Sequence, residues 1–311
     1  MAYELSMINA QVRADPTSFL QKCDAQYDEK VERAAATIAA RRKTSPIVLL
    51  SGPSGSGKTT TALKLEDALR RCGIKTYAIS MDNYFTTINP ETAPRTETGD
   101  IDFESPQCLD IELLQEHFSK LANGEEIFIP KFEFARNMRN DSKVTPLRLG
   151  RDEVAIFEGI HALRDEISDQ HPEAVKLYIS ASSNIESNGK VCFKGTWMRL
   201  VRRAVRDYQF RGSDVGFTFS NWANVRNGEK LHISPYKYKA DIRIDSTLPY
   251  EVSVMKAFAM PLLQAVPEGN ERREEILHLM SAFQQFESID PDLVPKSSLL
   301  REFIGGGQYF Y

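Results

Sequence analysis

This sequence has no excess of basic charge: 39 Lys and Arg stand against 43 Asp and Glu, a net charge of −4. A chain so balanced has no bulk electrostatic attraction for nucleic acid or for an acidic bilayer. Cysteine is scarce and scattered. Cys23, Cys72, Cys108 and Cys192 form no C-x-x-C pair, which argues against a disulfide framework or a thiolate metal site and favours a reducing compartment. No stretch approaches the roughly 18 apolar residues of a membrane span. The N-terminus, with Glu4, Arg13 and Asp15, lacks the apolar centre of a signal peptide. A cytoplasmic location is therefore expected. Also missing are internal repeats, low-complexity segments and the N-K-x-D signature of GTPase-type base readers.

What is present is an ordinary globular composition, 41% hydrophobic and 26% charged, with enough chain to bury a sizeable core. One stretch organises it. Ile47 to Leu50 is a wholly apolar run that suits a strand buried on both faces of a parallel sheet. It leads into Gly52-Pro53-Ser54-Gly55-Ser56-Gly57-Lys58-Thr59, a match to G-x-x-x-x-G-K-[ST]. Thr60 follows, and Lys58 to Arg71 places Ala62, Leu65, Ala68 and Leu69 at helical spacing. The glycines let successive N–H groups curl into one concavity at a helix N-terminus, where an anion is favoured. Lys58 supplies a charge for β- and γ-phosphates, and Thr59 a hydroxyl for Mg²⁺. Glycine makes up about 7% of average sequence, so a chain of this length yields on the order of 0.01 accidental matches.

Around this stretch, strands and helices alternate. Strands are expected at Lys75–Ser80, Glu153–Phe157, Val175–Ser180 and, more weakly, Asp241–Asp245, with a hairpin-like excursion at Glu126–Phe134 and Lys143–Leu149. Helices are expected over Ser18–Arg42, Asp110–Leu121 with Asp110 as N-cap, Thr196–Phe210, Tyr250–Gln264 and Glu271–Phe286. Thr86 to Asp100 is polar and carries Pro and Gly, a loop signal. Such alternation implies a parallel sheet with right-handed crossovers. The expected fold is α/β, a P-loop NTPase-type parallel sheet flanked by helices, with an arginine-bearing lid helix and a small β excursion at the acceptor site. Its parts are an N-terminal helical appendage (1–45), a P-loop kinase domain (46–265) and a C-terminal helical extension (266–311). The appendage either packs on the main domain or joins subunits, and packing is favoured.

Ligands of such sheets bind beyond the carboxyl ends of the strands. Three of those ends carry functional groups: the phosphate loop, Asp82 and Glu158. Phosphoryl transfer needs a phosphate cradle, a metal ligand and a carboxylate facing the acceptor hydroxyl. Farther on, Arg199, Arg202, Arg203 and Arg206 fall at i, i+3, i+4 and i+7 and share one helix face. Four like charges so close are most comfortable beside a polyanion. Beside a phosphate loop they suggest a lid over a triphosphate, with Arg211 at its end.

These segments, together with S-M-D-N-Y-F (Ser80–Phe85), F-E-S-P (Phe103–Pro106), P-K-F-E-F (Pro130–Phe134), F-E-G-I (Phe157–Ile160), R-G (Arg211-Gly212) and Y-K-A-D (Tyr238–Asp241), occur in order. In this the chain resembles the uridine kinase / phosphoribulokinase family, and within it the bacterial uridine-kinase-like nucleoside kinases, over about Pro46 to Leu263. The tail V-P-K-S-S-L-L-R-E-F-I-G-G-G (Val294–Gly307) is similar to the ending of that branch. Those relatives often carry an N-terminal TGS-type domain, for which the segment before Pro46 is too short. The resemblance implies Asp82 as the base for a sugar 5′-hydroxyl, Glu158 beside metal and acceptor, and Glu104 on the ribose, with Asp102 close enough to compete. It implies Arg139 as a substrate-side arginine, Tyr84 among the substrate contacts, and Arg199, Arg203, Arg206 and Arg211 in the lid. Where uridine kinases read the base with tyrosine and histidine, this chain has Phe132 and Asn137, the first without a hydroxyl, the second able to donate and accept. His161 either contacts substrate or packs in its loop.

The expectation is thus an ATP- and Mg²⁺-dependent kinase of a small acceptor alcohol, a pyrimidine nucleoside first. Asp82, Lys58, Glu158, Arg203 and Arg206 serve catalysis. Residues 52–60 with Arg199 and Arg211 hold ATP; Thr59, Glu158 and Asp82 face the metal. The acceptor is held by Asp82, Tyr84, Glu104, Phe132, Asn137, Arg139 and Glu158. The alternatives are a kinase of another small alcohol or sugar phosphate, and a nucleotide-binding regulatory protein. The expected partner is a small molecule, with no nucleic acid or membrane, and homo-oligomers stay open.

Overall fold

The computed structural model describes residues 2–133 and 136–310. Phe134, which closes P-K-F-E-F, lies outside the described residues, as do Met1 and Tyr311 at the outer limits of the expected appendage and extension. The chain opens with β1 (Ala2–Glu4), α1 (Leu5–Ala14) and α2 (Pro16–Arg41), followed by β2 (Ile47–Ser51), α3 (Lys58–Arg71) and β3 (Thr76–Ser80). Next come α4 (Ile111–Ala122), β4 (Ile127–Glu133), β5 (Met138–Leu147), β6 (Val154–Glu158), α5 (Asp165–Ser168) and β7 (Val175–Ser180). The remainder is β8 (Asn184–Ser187), β9 (Lys190–Phe193), α6 (Gly195–Arg211), α7 (Val215–His232), β10 (Ile242–Asp245), α8 (Glu251–Ala265), α9 (Arg273–Gln284) and α10 (Arg301–Ile304).

The central sheet has the order β10-β7-β2-β6-β3, and every pairing in it is parallel. Its middle strands are apolar because both faces are covered. Val48 and Leu50 of β2 enter one core cluster with α2, α3, α6, α8 and α9, whereas Ile47 and Leu49 enter another with Leu114, Phe118 and Leu121 of α4. The same division separates Val154 and Ile156 from Ala155 and Phe157 of β6. β4 and β5 form the expected excursion as an antiparallel pair whose register shifts between Ile129 and Lys131, where Pro130 has no N–H to pair.

The expected strands and helices all appear, most with ends shifted by a residue or two; the second arm of the excursion, expected at Lys143–Leu149, begins five residues earlier, at Met138. Asp110 caps α4 through an N–H bond from Leu113, 3.0 Å. Several elements have no counterpart in the sequence expectations: the short helices α1, α5 and α10, the strands β1, β8 and β9, and the long helix α7. β1 pairs with β8, which pairs with β9, in a small separate sheet. The strands are too short to show a period. α7 occupies a stretch, V-G-F-T-F-S-N-W-A-N, whose glycine and mixed polarity disguise a helix.

The terminal segments share the main core. Ile8, Tyr27 and Ile38 near the N-terminus, and Phe283, Leu300 and Phe303 near the C-terminus, lie in the cluster that holds Val48 and Leu50. A buried polar knot joins all three parts: Tyr250 Oη donates to Asp24 Oδ1 at 2.8 Å, and Ser298 Oγ donates to it at 3.0 Å. Burial pushes the Asp24 carboxyl up from 3.8 to about 6, against the pull of these two donors and Lys64. Between pH 4 and 6 the folded chain therefore binds more protons here than the unfolded chain, and this group's contribution to stability falls as pH rises through that window. Asp24→Asn, which cannot ionise, is expected to melt above the parent at pH 8 and level with it at pH 4, by calorimetry.

Candidate functional site

The phosphate loop leaves β2, the middle strand, and α3 begins at Lys58. Gly57 precedes it at φ 85°, and Gly55 stands at φ 73° with the Arg199 carbonyl oxygen only 2.7 Å from where a Cβ would be. A side chain at Gly55 is thus excluded twice, by conformation and by space. Beyond this loop lies a cavity of about 340 Å³. Ser54, Gly55, Ser56, Gly57, Lys58 and Thr59 line one end, and Asp82, Glu104, Glu158, Arg203, Arg206 and Arg211 converge on it. Phe85, Phe132, Asn137, Ile101 and Phe103 line the rest, with Phe217, Asn221, Asn224 and Val225 of α7.

Each acid arrives on a strand end. β3 and β6 pair in parallel with Ser80 opposite Glu158, so the residues that follow them emerge side by side. Asp82 sits in a short 3-10 turn, Met81–Tyr84, where its own N–H donates to Ser80 Oγ at 3.3 Å. Burial pushes the Asp82 carboxyl up, and Lys58, Arg211 and Arg206 pull it back. Glu158 is buried, and burial with the neighbouring Asp82 charge moves its carboxyl from 4.5 to about 7, against Lys58. Its Oε1 accepts from Thr59 Oγ1 at 3.4 Å. Two carboxylates and one ammonium thus share a poorly solvated corner, which favours a further cation there. Glu104 is likewise pushed up by burial and restrained by Arg203.

The arginine helix divides its labour. Arg199 and Arg202 lie in the N-terminal half of α6, beneath the loop, and are buried. Arg199 donates to the Ser54 carbonyl at 3.1 Å and to Glu229 at 2.8 Å. Arg202 donates to the Gly55 carbonyl at 3.2 Å and to the Ser246 carbonyl at 2.8 Å, and pairs with Glu251. Arg199 is therefore corrected from a lid contact to a support of the loop backbone: glutamates, not phosphate, neutralise it and Arg202. Arg203 and Arg206 reach the cavity, where Arg203 Nη1 also donates to Ser54 Oγ of the loop at 3.1 Å. Asp207, which the residue pattern did not single out, fans out three cations: Arg206 Nη2 at 2.8 Å, Arg203 Nε at 3.4 Å and Arg211 Nε at 3.6 Å. The i+4 spacing on either side was the one signal for it.

Other expected contacts stand elsewhere. Tyr84 has no exposed surface, and its hydroxyl bonds His117 Nδ1 at 2.9 Å, so it belongs to the core behind the acid. Arg139 lies outside the cavity lining and bonds Asp110 Oδ2 at 2.7 Å. Gly52 and Pro53 form the approach to the loop, and the Pro53 carbonyl receives Lys58 Nζ at 3.4 Å. Thr60 is buried just behind the cavity lining, bonded to Glu302. Phe132 and Asn137 do line the cavity: the Phe132 ring packs 5.5 Å from that of Phe85, and Asn137 holds a left-handed φ of 49°. His161 is buried outside the lining, and burial drives its imidazole down to about 3, a neutral packing residue. Asp102 lines the cavity beside Glu104.

Among comparisons with known proteins, a family model for the phosphoribulokinase / uridine kinase family matches residues 47–253, more than half of the chain. The chain belongs to this family. A uridine kinase of Schizosaccharomyces pombe is 31% identical over 166 residues, 53% of this chain and 32% of that protein. One from Halobacterium salinarum is 26% identical over 196 residues, 63% of this chain and 77% of the relative. The chain thus spans about a third of the yeast relative's length. Among solved structures, a possible uridine kinase from Bacillus stearothermophilus aligns at a TM-score of 0.41 and 20% identity, over 64% of this chain and 88% of that one. The family match covers the loop, both strand-end acids and the arginine helix, and stops before the C-terminal residues described below.

Proposed function

We propose that this chain is a kinase that moves the terminal phosphoryl of Mg-ATP to the primary hydroxyl of a small acceptor, a pyrimidine nucleoside first among candidates. The observation that carries the reading is the convergence of the phosphate loop, Asp82 and Glu158 on one cavity whose far end is apolar and aromatic. A family kinase has little covalent chemistry to perform, so positioning and charge do the work. Lys58 and the loop amides hold the β- and γ-phosphates. Arg203, Arg206 and Arg211, aligned by Asp207, gather the charge on the moving group. Asp82 orients the acceptor hydroxyl and takes its proton late. Glu104, near Arg203 at 3.7 Å, accepts from the acceptor's remaining hydroxyls, and Phe132, Phe85 and Phe103 cover its flat portion.

Mg²⁺ fits the donor set: the Thr59 hydroxyl and the Glu158 carboxylate are hard oxygens 3.4 Å apart, in a corner that burial makes short of positive charge. Magnesium is bound by one or two protein oxygens plus phosphates rather than by a protein cage, in keeping with the lack of a cluster of three ligating side chains among the described residues. The ion would neutralise phosphate charge. The uridine kinase names among the relatives support the acceptor class, while Phe132 and Asn137 in the lining alter how a base is read. ADP release measured over a panel of nucleosides, sugar phosphates and other primary alcohols tests this. Uridine or cytidine is expected to stand out, and ADP formation indifferent to every acceptor would overturn it.

A further inference from the structure

The phosphate helix already carries an anion. Glu302, on the short C-terminal α10, accepts from the Thr60 backbone N–H at 3.1 Å and from Thr60 Oγ1 at 2.6 Å, both through Oε2. Thr60 is the third residue of α3, so this N–H is one of the first-turn donors that lack a helical partner and that draw anions. Glu302 also lines the cavity beside Gly57 and Thr59. Its charge reaches Glu158, whose carboxyl it helps push up.

The segment that delivers this acid is firmly held. Leu299, Leu300 and Phe303 have no exposed surface. Leu299 Cδ1 would stand 2.6 Å from a Cβ on Gly57, so the segment rests directly on the loop. Arg301 ties it down through the carbonyls of Val294 at 2.5 Å, Pro291 at 3.2 Å and Gly305 at 3.2 Å. The Phe303 ring lies 5.1 Å from the Arg202 guanidinium, which itself holds Gly55. Nothing in the phosphate-loop motif calls for a carboxylate at this place. In the cavity wall Lys58, Arg203, Arg206 and Arg211 face Asp82, Asp102, Glu104, Glu158 and Glu302. So even a balance leaves each single charge a strong hold on a polyanion.

We propose that Glu302 is a positioning residue of the phosphate site: acting through Thr60, the C-terminal segment places a built-in carboxylate on a first-turn donor of α3, where it competes with bound polyphosphate and sets its affinity. The inference rests on the kinase reading for its biological ligand, but not for its test. Polyphosphate oxygens and the Glu302 carboxylate seek the same donors, and a bound polyphosphate loosens the segment's hold.

The experiment compares the full chain with Glu302→Gln by calorimetry, using Mg-ADP and inorganic tripolyphosphate as probes at low and high salt. The glutamine carbonyl still accepts from Thr60, so the cap survives while the charge goes. Both probes are expected to bind about fivefold more tightly to the variant, the scale of one charge at a helix N-terminus. The gain should shrink as salt rises, a dependence that a purely structural cap would not produce. Equal or weaker binding by a folded variant overturns the inference. Should the variant fail to fold, hydrogen exchange on the parent chain decides. Amides of residues 299–304 are expected to exchange faster with tripolyphosphate bound, and unchanged or slower exchange overturns it. Tightened tripolyphosphate binding without phosphoryl transfer to any acceptor would sink the kinase reading and leave this inference standing. No binding of either probe would sink both.

Discussion

Asp82→Asn is expected to retain Mg-nucleotide binding and to lose about 100- to 10,000-fold in kcat, the usual contribution of a positioned general base. The asparagine keeps the shape and the 3-10 turn, whose hydrogen bonds come from Ser80 and the backbone rather than from the carboxylate. What disappears is the acceptor for the hydroxyl proton and one negative charge against Lys58, Arg206 and Arg211. That lost charge should leave nucleotide affinity equal or slightly tighter, so the defect appears in kcat and not in the nucleotide KM. Calorimetry with Mg-ADP beside steady-state assays separates the two. A variant with undiminished kcat would remove Asp82 from the chemistry, and one that no longer binds nucleotide would assign it to the metal instead.

The second large effect concerns stability. Arg202 has no exposed surface and serves the Gly55 and Ser246 carbonyls as well as Glu251, itself fully buried. Arg202→Ala would leave the Glu251 carboxylate charged and unpaired in the interior, a loss of about 3–5 kcal/mol. For a chain of this size that corresponds to a fall in melting temperature on the order of 10 °C. Replacing both members, as in Arg202→Met with Glu251→Leu, is expected to recover most of this, because two apolar groups leave no stranded charge. Phosphate-loop function should not recover with it, since the Gly55 carbonyl still loses its donor. Thermal melts of Arg202→Met, Glu251→Leu and the double variant supply the cycle. A double variant as unstable as Arg202→Ala would show that the backbone bonds, not the ion pair, carry the effect.

Some of the site was legible before any fold was known, because its signals are local. The phosphate loop is eight consecutive residues with a strand on one side and a helix on the other, and each part needs only its neighbours to form. Asp82 and Glu158 were legible as candidates because one follows and the other ends a short strand, and parallel sheets gather strand ends at one edge. Arg203 and Arg206 were legible as part of a face, but the face alone did not tell two cavity arginines from two buried ones. That distinction depends on how far α6 slides along the loop, which places Arg199 and Arg202 beneath the backbone and next to Glu229 and Glu251. Helical periodicity reports an angle around an axis and is silent on depth along it.

The same limit explains Tyr84 and α7. Tyr84 is two residues from Asp82, yet in a 3-10 turn alternate residues leave on different sides, and this one meets His117 in the core. Asn221 and Asn224 sit one helical turn apart on α7 and line the cavity, but an asparagine pair in a mixed-polarity stretch carries no signal until the helix is docked.

From the amino-acid order alone came the sheet's strands, the anion-binding bend and the acids beside it, because each rests on interactions within a few residues. The tertiary structure alone decided which arginines line the cavity and which hold the loop backbone, and which acid sits on the first turn of α3. Thr60 and Glu302 are 242 residues apart in the chain. No local preference encodes a bond across that distance, and only the packing of the C-terminal segment against the loop brings the two together.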